Sequence, residues 1–553
     1  MKILILGGYG VFGGRLAHLL RDCPELSLLI AGRSGAKARR SCAALGGAIT
    51  AEPLALDRAD IFSALAQHKP DLVVDASGPF QDYGADRYRV VEACIAAGAD
   101  YLDFADGADF VFGIEQFDHR AKAAGVFVLS GVSSFPVLTA AVLREMAQHM
   151  DIREVEGGIA PSPYAGIGLN VMRAVVGYAG APVKLTRGGK RSAGVGLAES
   201  RRYTVAVPGK LPLRNIHFSL VDVPDLQVIP REHVGMRDIW MGAGPVPEVL
   251  HRILNLFAKA RHRLRLPSLE PLSPLFYRVL NWMKFGEHRG GMYVHAKGER
   301  DGERVERSRH LLAEGDDGPF IPSMAIEGMV RKQLAGVRPE AGARPATRAL
   351  ELSDYNALFA GRTIYTGFRD EVQGGPIYRR LLGSAFEGLP QKVRELHDGA
   401  GKRRWSGTAN VERGKGPIAA IAAALFGFPR SAQSVPIIVT LTSEGQGERW
   451  TRDFGGQIFT SHQSPGTGRN AHLMVERFGL ISVAIAMVVE GDRLVLVPRR
   501  WSVHAIPLPR CLLPKGGSYE TERNGRFVFD VEVTLPIIGR VVTYRGELLP
   551  AQD

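Results

Sequence analysis

Gly8, Gly10 and Gly13 are spaced GxGxxG within ILILGGYGVFGG, residues 3 to 14. The aliphatic residues ahead of them read as a short buried strand, and the stretch behind them, GRLAHLLRD, carries apolar residues at helical spacing. A glycine knot between strand and helix is the fingerprint of a dinucleotide site. Gly8 permits a tight turn, Gly10 lets backbone amides reach a pyrophosphate, and Gly13 lets helix and strand pack closely with the anion at the positive helix end. The alternative is a structural glycine turn in an unliganded α/β domain. Which dinucleotide would bind is read at the end of the second strand, AGRS, where a carboxylate would favour NAD. Arg33 and Ser34 stand there instead, with Lys37, Arg39 and Arg40 behind them, so a 2′-phosphate is welcome and NADP is expected over NAD. Asp57, ending LALD, either touches the adenine edge or caps the helix after it.

Residues for other chemistries are missing. There is no GxSxG, no HExxH and no metal-spaced histidine pair, so nucleophilic and metal hydrolysis have no support and no metal is expected. A YxxxK pair, Tyr293 and Lys297, lies in an alternating, strand-like run, which separates the two side chains from any helical face they would share. If hydride is transferred, Tyr83, Tyr101 and Tyr164 are candidate proton donors, because a phenol can protonate a forming alkoxide or enolate. For each, the alternative is an ordinary core or surface tyrosine.

The elements that must position these residues alternate along the first 150 positions. KILILG, LSLLIAG, PDLVVDAS, DYLDF and VFVLSG read as strands, separated by amphipathic stretches such as YRVVEACIAAGA. Short connections between them imply an α/β fold of the doubly wound, Rossmann type with a parallel sheet. GPF at 78 to 80, YG at 83 to 84, VVEACIAAGADYLDF at 90 to 104 and AKAAGVFVLSGVSSFP at 121 to 136 resemble the saccharopine-dehydrogenase-like NADP-binding family. The similarity spans residues 1 to about 145 and continues more weakly to about 360. It implies that Gly8, Tyr9, Gly10, Phe12 and Gly13 line the pyrophosphate, and that Ala76, Ser77, Gly78 and Pro79 pass along the nicotinamide side. It also implies a redox fold that serves very different enzymes, including saccharopine reductases and enoyl reductases of lipid assembly. The chain departs from the family pattern where YxDxxGE becomes Tyr101, Asp103, Asp106, Gly107 and Ala108, and where Ser133 replaces the acid of GFDSxP.

At 553 residues the chain is long enough for about three domains of ~150 residues. We expect a dinucleotide-binding domain at 1–145, an α+β substrate or dimerisation domain at 146–365, and a β-rich domain at 368–553. GVRPEAGARPA, 336 to 346, reads as a loop or linker. Beyond 368, runs such as VPIIVTLTS, DRLVLVPRRWSV and RFVFDVEVTL alternate apolar and polar residues, predicting a mainly antiparallel, barrel-like domain with a ligand cavity. This part resembles a domain of unknown function often found behind saccharopine-dehydrogenase-like domains. Trp405, Trp450, His462, Arg499, Arg500 and Trp501 are candidates to line a pocket there, with core packing the alternative for the tryptophans.

The net charge is +12, and residues 251 to 289 hold eight Lys or Arg against two Glu. Within VPEVLHRILNLFAKARHRLRL, Val249, Leu250, Ile253, Leu254, Phe257 and Leu264 share one helical face opposite Arg252, Lys259, His262 and Arg263. Such a helix lies on an anionic membrane surface, covers a lipid-shaped pocket, or docks its stripe on its own domain, the general rule for amphipathic helices. No nucleic-acid recognition module is present. No apolar run reaches the ~18 residues of a membrane span, and the four cysteines show no disulfide or zinc spacing, so a cytoplasmic protein is expected. The expected function is NADP-dependent transfer of hydride to or from a carbonyl, imine or enoyl group of a small-molecule or lipid-like substrate, with a homodimer as the expected assembly. The alternative is a non-catalytic NADP-binding sensor or ligand carrier.

Overall fold

A computed structural model describes residues 1–166, 168–245, 248–371 and 374–551. The chain forms two compact units, Met1–Tyr203 with Ile216–Tyr365, and Thr204–Asn215 with Thr366–Asp553.

The first unit begins with a seven-stranded parallel sheet. Its strands are β1 (Lys2–Leu6), β2 (Ser27–Gly32), β3 (Thr50–Ala55), β4 (Leu72–Asp75), β5 (Asp100–Asp103), β6 (Phe127–Ser130) and the segment Gly342–Pro345. The spatial order is Gly342–Pro345, β6, β5, β4, β1, β2, β3. The order reverses between β1 and β4, and ligands of open α/β sheets sit at that switch point, beyond the carboxyl ends of the strands. β1, β4, β5 and β6 are buried on both faces, which is why they read as continuous apolar runs. β3 and Gly342–Pro345 are different. TAEPLA is largely exposed and holds a proline, and GARP was expected to be linker, yet both add to the sheet edges through backbone hydrogen bonds that need no apolar side chain.

A second, mixed sheet in this unit runs Ser200–Tyr203, Ile216–Leu220, Asp238–Ala243, Asp151–Ala160, Arg289–Arg300 and Glu303–Glu314. Tyr293 and Lys297 lie on one of its strands, as their alternating run predicts. The Tyr293 phenol donates to Glu156 at 2.8 Å and Lys297 pairs with Glu306 at 3.0 Å, so the two serve separate partners. Helices Leu169–Tyr178, Glu248–Leu264 and Ser273–Trp282 complete this part of the unit. Residues 246 and 247, which open the stretch expected to form the basic helix, lie outside the described residues. That helix docks through His251, Leu254, Asn255 and Ala258. The expected apolar stripe is therefore split: Leu254 is buried and Leu250 lines a cavity of the unit, while Val249, Ile253, Phe257 and Leu264 are exposed.

The second unit is built on an antiparallel sheet whose two ends, Ile481–Glu490 and Arg493–Val503, also pair with each other and close a barrel. Its core includes Trp405 and Trp450, the core-packing alternative for both. Trp450 also borders a cavity of about 130 Å³ inside the barrel, while Arg499, Arg500 and Trp501 line a different pocket of about 250 Å³. Among the described residues no helix is long and apolar enough to cross a membrane.

Candidate functional site

The glycine turn follows β1 directly. Gly7 adopts φ +78°, and a Cβ there would sit 2.6 Å from the Ala76 carbonyl oxygen, so the left-handed residue of the turn is Gly7 rather than Gly8. A Cβ on Gly13 would lie 2.6 Å from the Gly7 oxygen and 2.8 Å from Gly8 Cα. Only glycine lets helix α1 (Val11–Leu19) start this close to the strand. Gly10 is the N-cap of α1; its side-chain position is empty by nature, and no carboxylate stands in the first turn. The free N–H groups of that turn therefore keep their positive end for an anion, and a pyrophosphate fits this chemistry.

Tyr9 reaches away from the turn to the end of β2. Its hydroxyl accepts from Ser34 N at 3.0 Å, and its ring fills the space a Cβ on Gly32 would need. Ser34 caps helix α2 (Gly35–Leu45) by accepting from Lys37 N at 3.4 Å, and Arg33 beside it is exposed. Tyr9, Arg33 and Ser34 thus gather where an adenosine ribose would lie in such a fold. Asp57 accepts from Ala59 N at 3.0 Å and caps a short 3-10 turn, the capping alternative. Phe12 stacks on Phe104 with ring centroids 5.5 Å apart.

Ala76, Ser77, Gly78 and Pro79 leave β4 across the switch point from the glycine turn, with Ala76 N bonded to Leu6 O at 2.8 Å. Ser77 Oγ donates to Asp75 at 2.5 Å and shares a 2.6 Å hydrogen bond with the Tyr83 hydroxyl. Asn170, near the start of the Leu169–Tyr178 helix, donates to the Gly78 carbonyl at 2.8 Å. Of the three candidate tyrosines, Tyr83 joins this loop, and burial pushes its phenol well up. Tyr101 is wholly buried in the core. Tyr164, 39% exposed, packs its ring 4.7 Å from that of His288. The structure ties Tyr83 to the 76–79 loop through Ser77 and places Tyr101 in the core behind it, where burial pushes its phenol up and Asp75 and Tyr83 are close enough for their charge to add to the shift.

Beside these loops lies a cavity of about 390 Å³. Val11 and Phe12 of α1 form part of its wall, with Phe135, Met172, Leu254 and Phe276 among the other apolar residues. Its polar groups are few, and three belong together. Burial pushes the Asp222 carboxyl up to about 6, helped by the nearby Asp109 and Asp106 carboxylates. Burial also raises Asp106, against a 3.1 Å hydrogen bond from Gln81, and raises Tyr178 well above the ordinary phenol range, with Asp222 and Asp106 adding to the shift. A fourth group, His251, is pushed down to about 4 by burial and then by His217; neither of its ring nitrogens has a hydrogen-bond partner among the described residues. Tyr178, Asp222 and His251 were not singled out from the sequence as site residues. No local spacing links them, and only a strand-by-strand assembly of the unit would have placed them together.

Residues 3–129 match the family model described as the saccharopine dehydrogenase NADP binding domain, and residues 389–548 match the domain of unknown function DUF4166. Carboxyaminopropylagmatine dehydrogenase of Synechocystis sp. is 30% identical over 147 residues, 25% of this chain and 35% of that protein. The match thus spans about a third of that relative's length. Among solved structures, the chain is similar to apo saccharopine dehydrogenase (L-Glu forming) from Saccharomyces cerevisiae, with TM-score 0.47 and 13% identity over 67% of this chain and 100% of the other. It is also similar to an engineered D-amino acid dehydrogenase bound to NADP+, with TM-score 0.33 and 15% identity over 65% and 98% of the two chains. The chain therefore joins a saccharopine dehydrogenase NADP binding domain, residues 3–129, to a DUF4166 domain, residues 389–548.

Proposed function

We propose that the protein is an NADP-dependent oxidoreductase that transfers hydride to or from a carbonyl, imine or enoyl group of a lipid-like substrate. One observation carries the reading: Val11 and Phe12, the first residues behind the glycine turn, line the same apolar cavity as Asp106, Tyr178 and Asp222. Gly8, Gly10 and Gly13 would hold the pyrophosphate, Ser77 and Gly78 the nicotinamide side, and Arg33 with Ser34 the 2′-phosphate. The nicotinamide supplies hydride chemistry when bound. The chain supplies the rest. Apolar walls exclude water and hold the substrate's hydrocarbon. Tyr178 Oη keeps its proton at neutral pH and delivers it to the atom next to the carbon that gains hydride, and Asp222 beside it restores that proton. Tyr83, through Ser77, steadies the 76–79 loop as a positioning residue.

We divide the chain into 1–145 for the cofactor, 146–365 for the substrate and 368–553 for a barrel that holds substrate or partner. A cytoplasmic placement is favoured by four cysteines that are all free. The test is NADPH oxidation against a panel of carbonyl, imine and enoyl compounds of increasing chain length, joined to mass spectrometry of lipids that copurify. Turnover that rises with chain length is expected. Tight NADPH binding with no turnover on any member of the panel would favour the sensor instead.

A further inference from the structure

The Glu248–Leu264 helix is apolar on its outer side as well as its inner one. At about 100° per residue, Val249, Ile253, Leu256, Phe257 and Leu264 form a stripe roughly opposite the docked His251, Leu254, Asn255 and Ala258. Val249 is 63% exposed, Leu256 68% and Leu264 64%. The Ser273–Trp282 helix continues this surface. Phe276 meets Phe257 with ring centroids 6.3 Å apart, Leu275 is exposed, and Trp282 is 85% exposed. Water gains nothing from so many large apolar side chains set side by side, and exposed patches of this kind mark a surface that is covered in use.

The charges around it say by what. Lys259 and Arg263 flank the stripe by helical spacing, and Arg265, Arg278 and Lys284 follow, all exposed; the acids of the segment are few, with Glu248 paired with Arg202 and Arg252, Glu287 with Arg289, and Glu270 near Arg173. A cationic rim around leucine, phenylalanine and tryptophan matches an anionic headgroup layer over acyl chains. A protein partner of like size would need acids opposite each cation and apolar residues opposite the stripe. The bilayer surface supplies both without sequence. The inner sides of the same two helices provide Leu250, Leu254, Phe276, Val279 and Leu280 to the wall of the 390 Å³ cavity.

We propose that these two helices form a monotopic docking surface for an anionic phospholipid bilayer, and that the apolar substrate passes between them from membrane to cavity. The passage rests on the lipid-like substrate reading above; the docking rests on exposure and charge alone. Flotation of the full-length protein with phosphatidylcholine vesicles, with and without phosphatidylglycerol, tests it. Binding is expected with the anionic vesicles, weakening as salt is raised. Leu256→Asp and Trp282→Ser, both on exposed side chains, are each expected to lower partitioning roughly tenfold or more while leaving NADPH affinity unchanged. Lys259→Glu with Arg263→Glu is expected to abolish the preference for anionic vesicles. Absence of flotation at low salt, or a Leu256→Asp variant that floats like the parent, would overturn the docking surface. So would sedimentation showing that Leu256→Asp dissolves a dimer instead, since the stripe would then be covered by a second copy. Vesicle binding without turnover of any lipid would defeat the substrate reading and leave the docking standing. Turnover of a dispersed substrate by a protein that ignores vesicles would do the reverse.

Discussion

The two cavities differ in what their walls do with charge. Arg452 and Glu476, on the wall of the barrel cavity, bond at 3.2 Å, and Glu520 on that wall meets His397 at 2.6 Å; away from the lining, Arg403 bonds Glu448 at 2.6 Å. Glu476 also accepts from Ser461 at 2.7 Å. On the wall Arg452 and Glu476 answer each other, an arrangement that stabilises one packing of the barrel at a desolvation cost. In the first unit the cavity next to the glycine turn has three acidic or phenolic groups whose charged forms are disfavoured by burial, with nearby carboxylates adding to the shift of Tyr178 and Asp222, plus the buried His251 imidazole. Groups whose proton affinity is raised by burial are suited to moving protons. We therefore propose a structural role for the one set of buried polar residues and a chemical role for the other.

The comparison breaks most visibly if an ion pair in the barrel is halved. Glu476→Ala leaves Arg452 buried without its carboxylate, held by Ser461 at 2.8 Å and the Trp450 and Phe459 rings, and is expected to destabilise the second unit by about 3–5 kcal/mol. Chemical denaturation followed by Trp fluorescence measures it, and a loss below about 1 kcal/mol would deny these pairs their structural role. Gly13→Ala comes next. Its Cβ must push the Gly7 carbonyl away from α1, so we expect about 2–3 kcal/mol of lost stability together with loss of NADPH binding by calorimetry. Tyr178→Phe keeps the shape of the cavity and removes the phenolic proton. A fall in kcat of about 10²-fold with KM little changed is expected, and an unchanged kcat would return the proton donor's role to Tyr83.

How much of this the sequence discloses depends on whether the signal is local. β1, β4, β5 and β6 announce themselves as apolar runs because both faces are buried, whereas β3 and Gly342–Pro345 are edge strands held by backbone bonds and carry no such mark. The glycine turn is legible because its function lies within six residues of chain. Even there the left-handed residue proves to be Gly7, one position before the motif. Alternation reveals the barrel strands, but the pairing of Lys402–Arg413 with Gly539–Pro550 joins residues too far apart for any periodicity to register. The amphipathic character of the Glu248–Leu264 helix is plain from its spacing. Which side docks is not, since His251 and Asn255 are buried only because His217, Leu197 and Ser219 wait for them across the fold. Tyr178, Asp222 and Asp106 converge from three separate segments, and no single stretch could have shown the cluster.

Smaller effects sharpen the same contrast. Arg33→Glu sets a carboxylate where the 2′-phosphate is expected, and should shift the ratio of NADPH to NADH affinity by about 1–2 kcal/mol toward NADH. The least of the expected changes concerns pH. Asp222 has a folded-state value of about 6, above the ~3.9 of an unfolded aspartate, so the folded chain holds the proton that the unfolded chain has released. Stability from this group is therefore fully present below about pH 4 and is lost as pH rises through about 6. Solvent reaching the partly exposed carboxyl reduces the effect to roughly 1–2 kcal/mol. Asp222→Asn cannot ionise, so the variant should match the parent near pH 4 and exceed it near pH 7 in thermal or urea unfolding. Equal effects at both pH values would mean that Asp222 binds its proton alike in the folded and unfolded chains, its carboxyl solvated like any surface carboxylate.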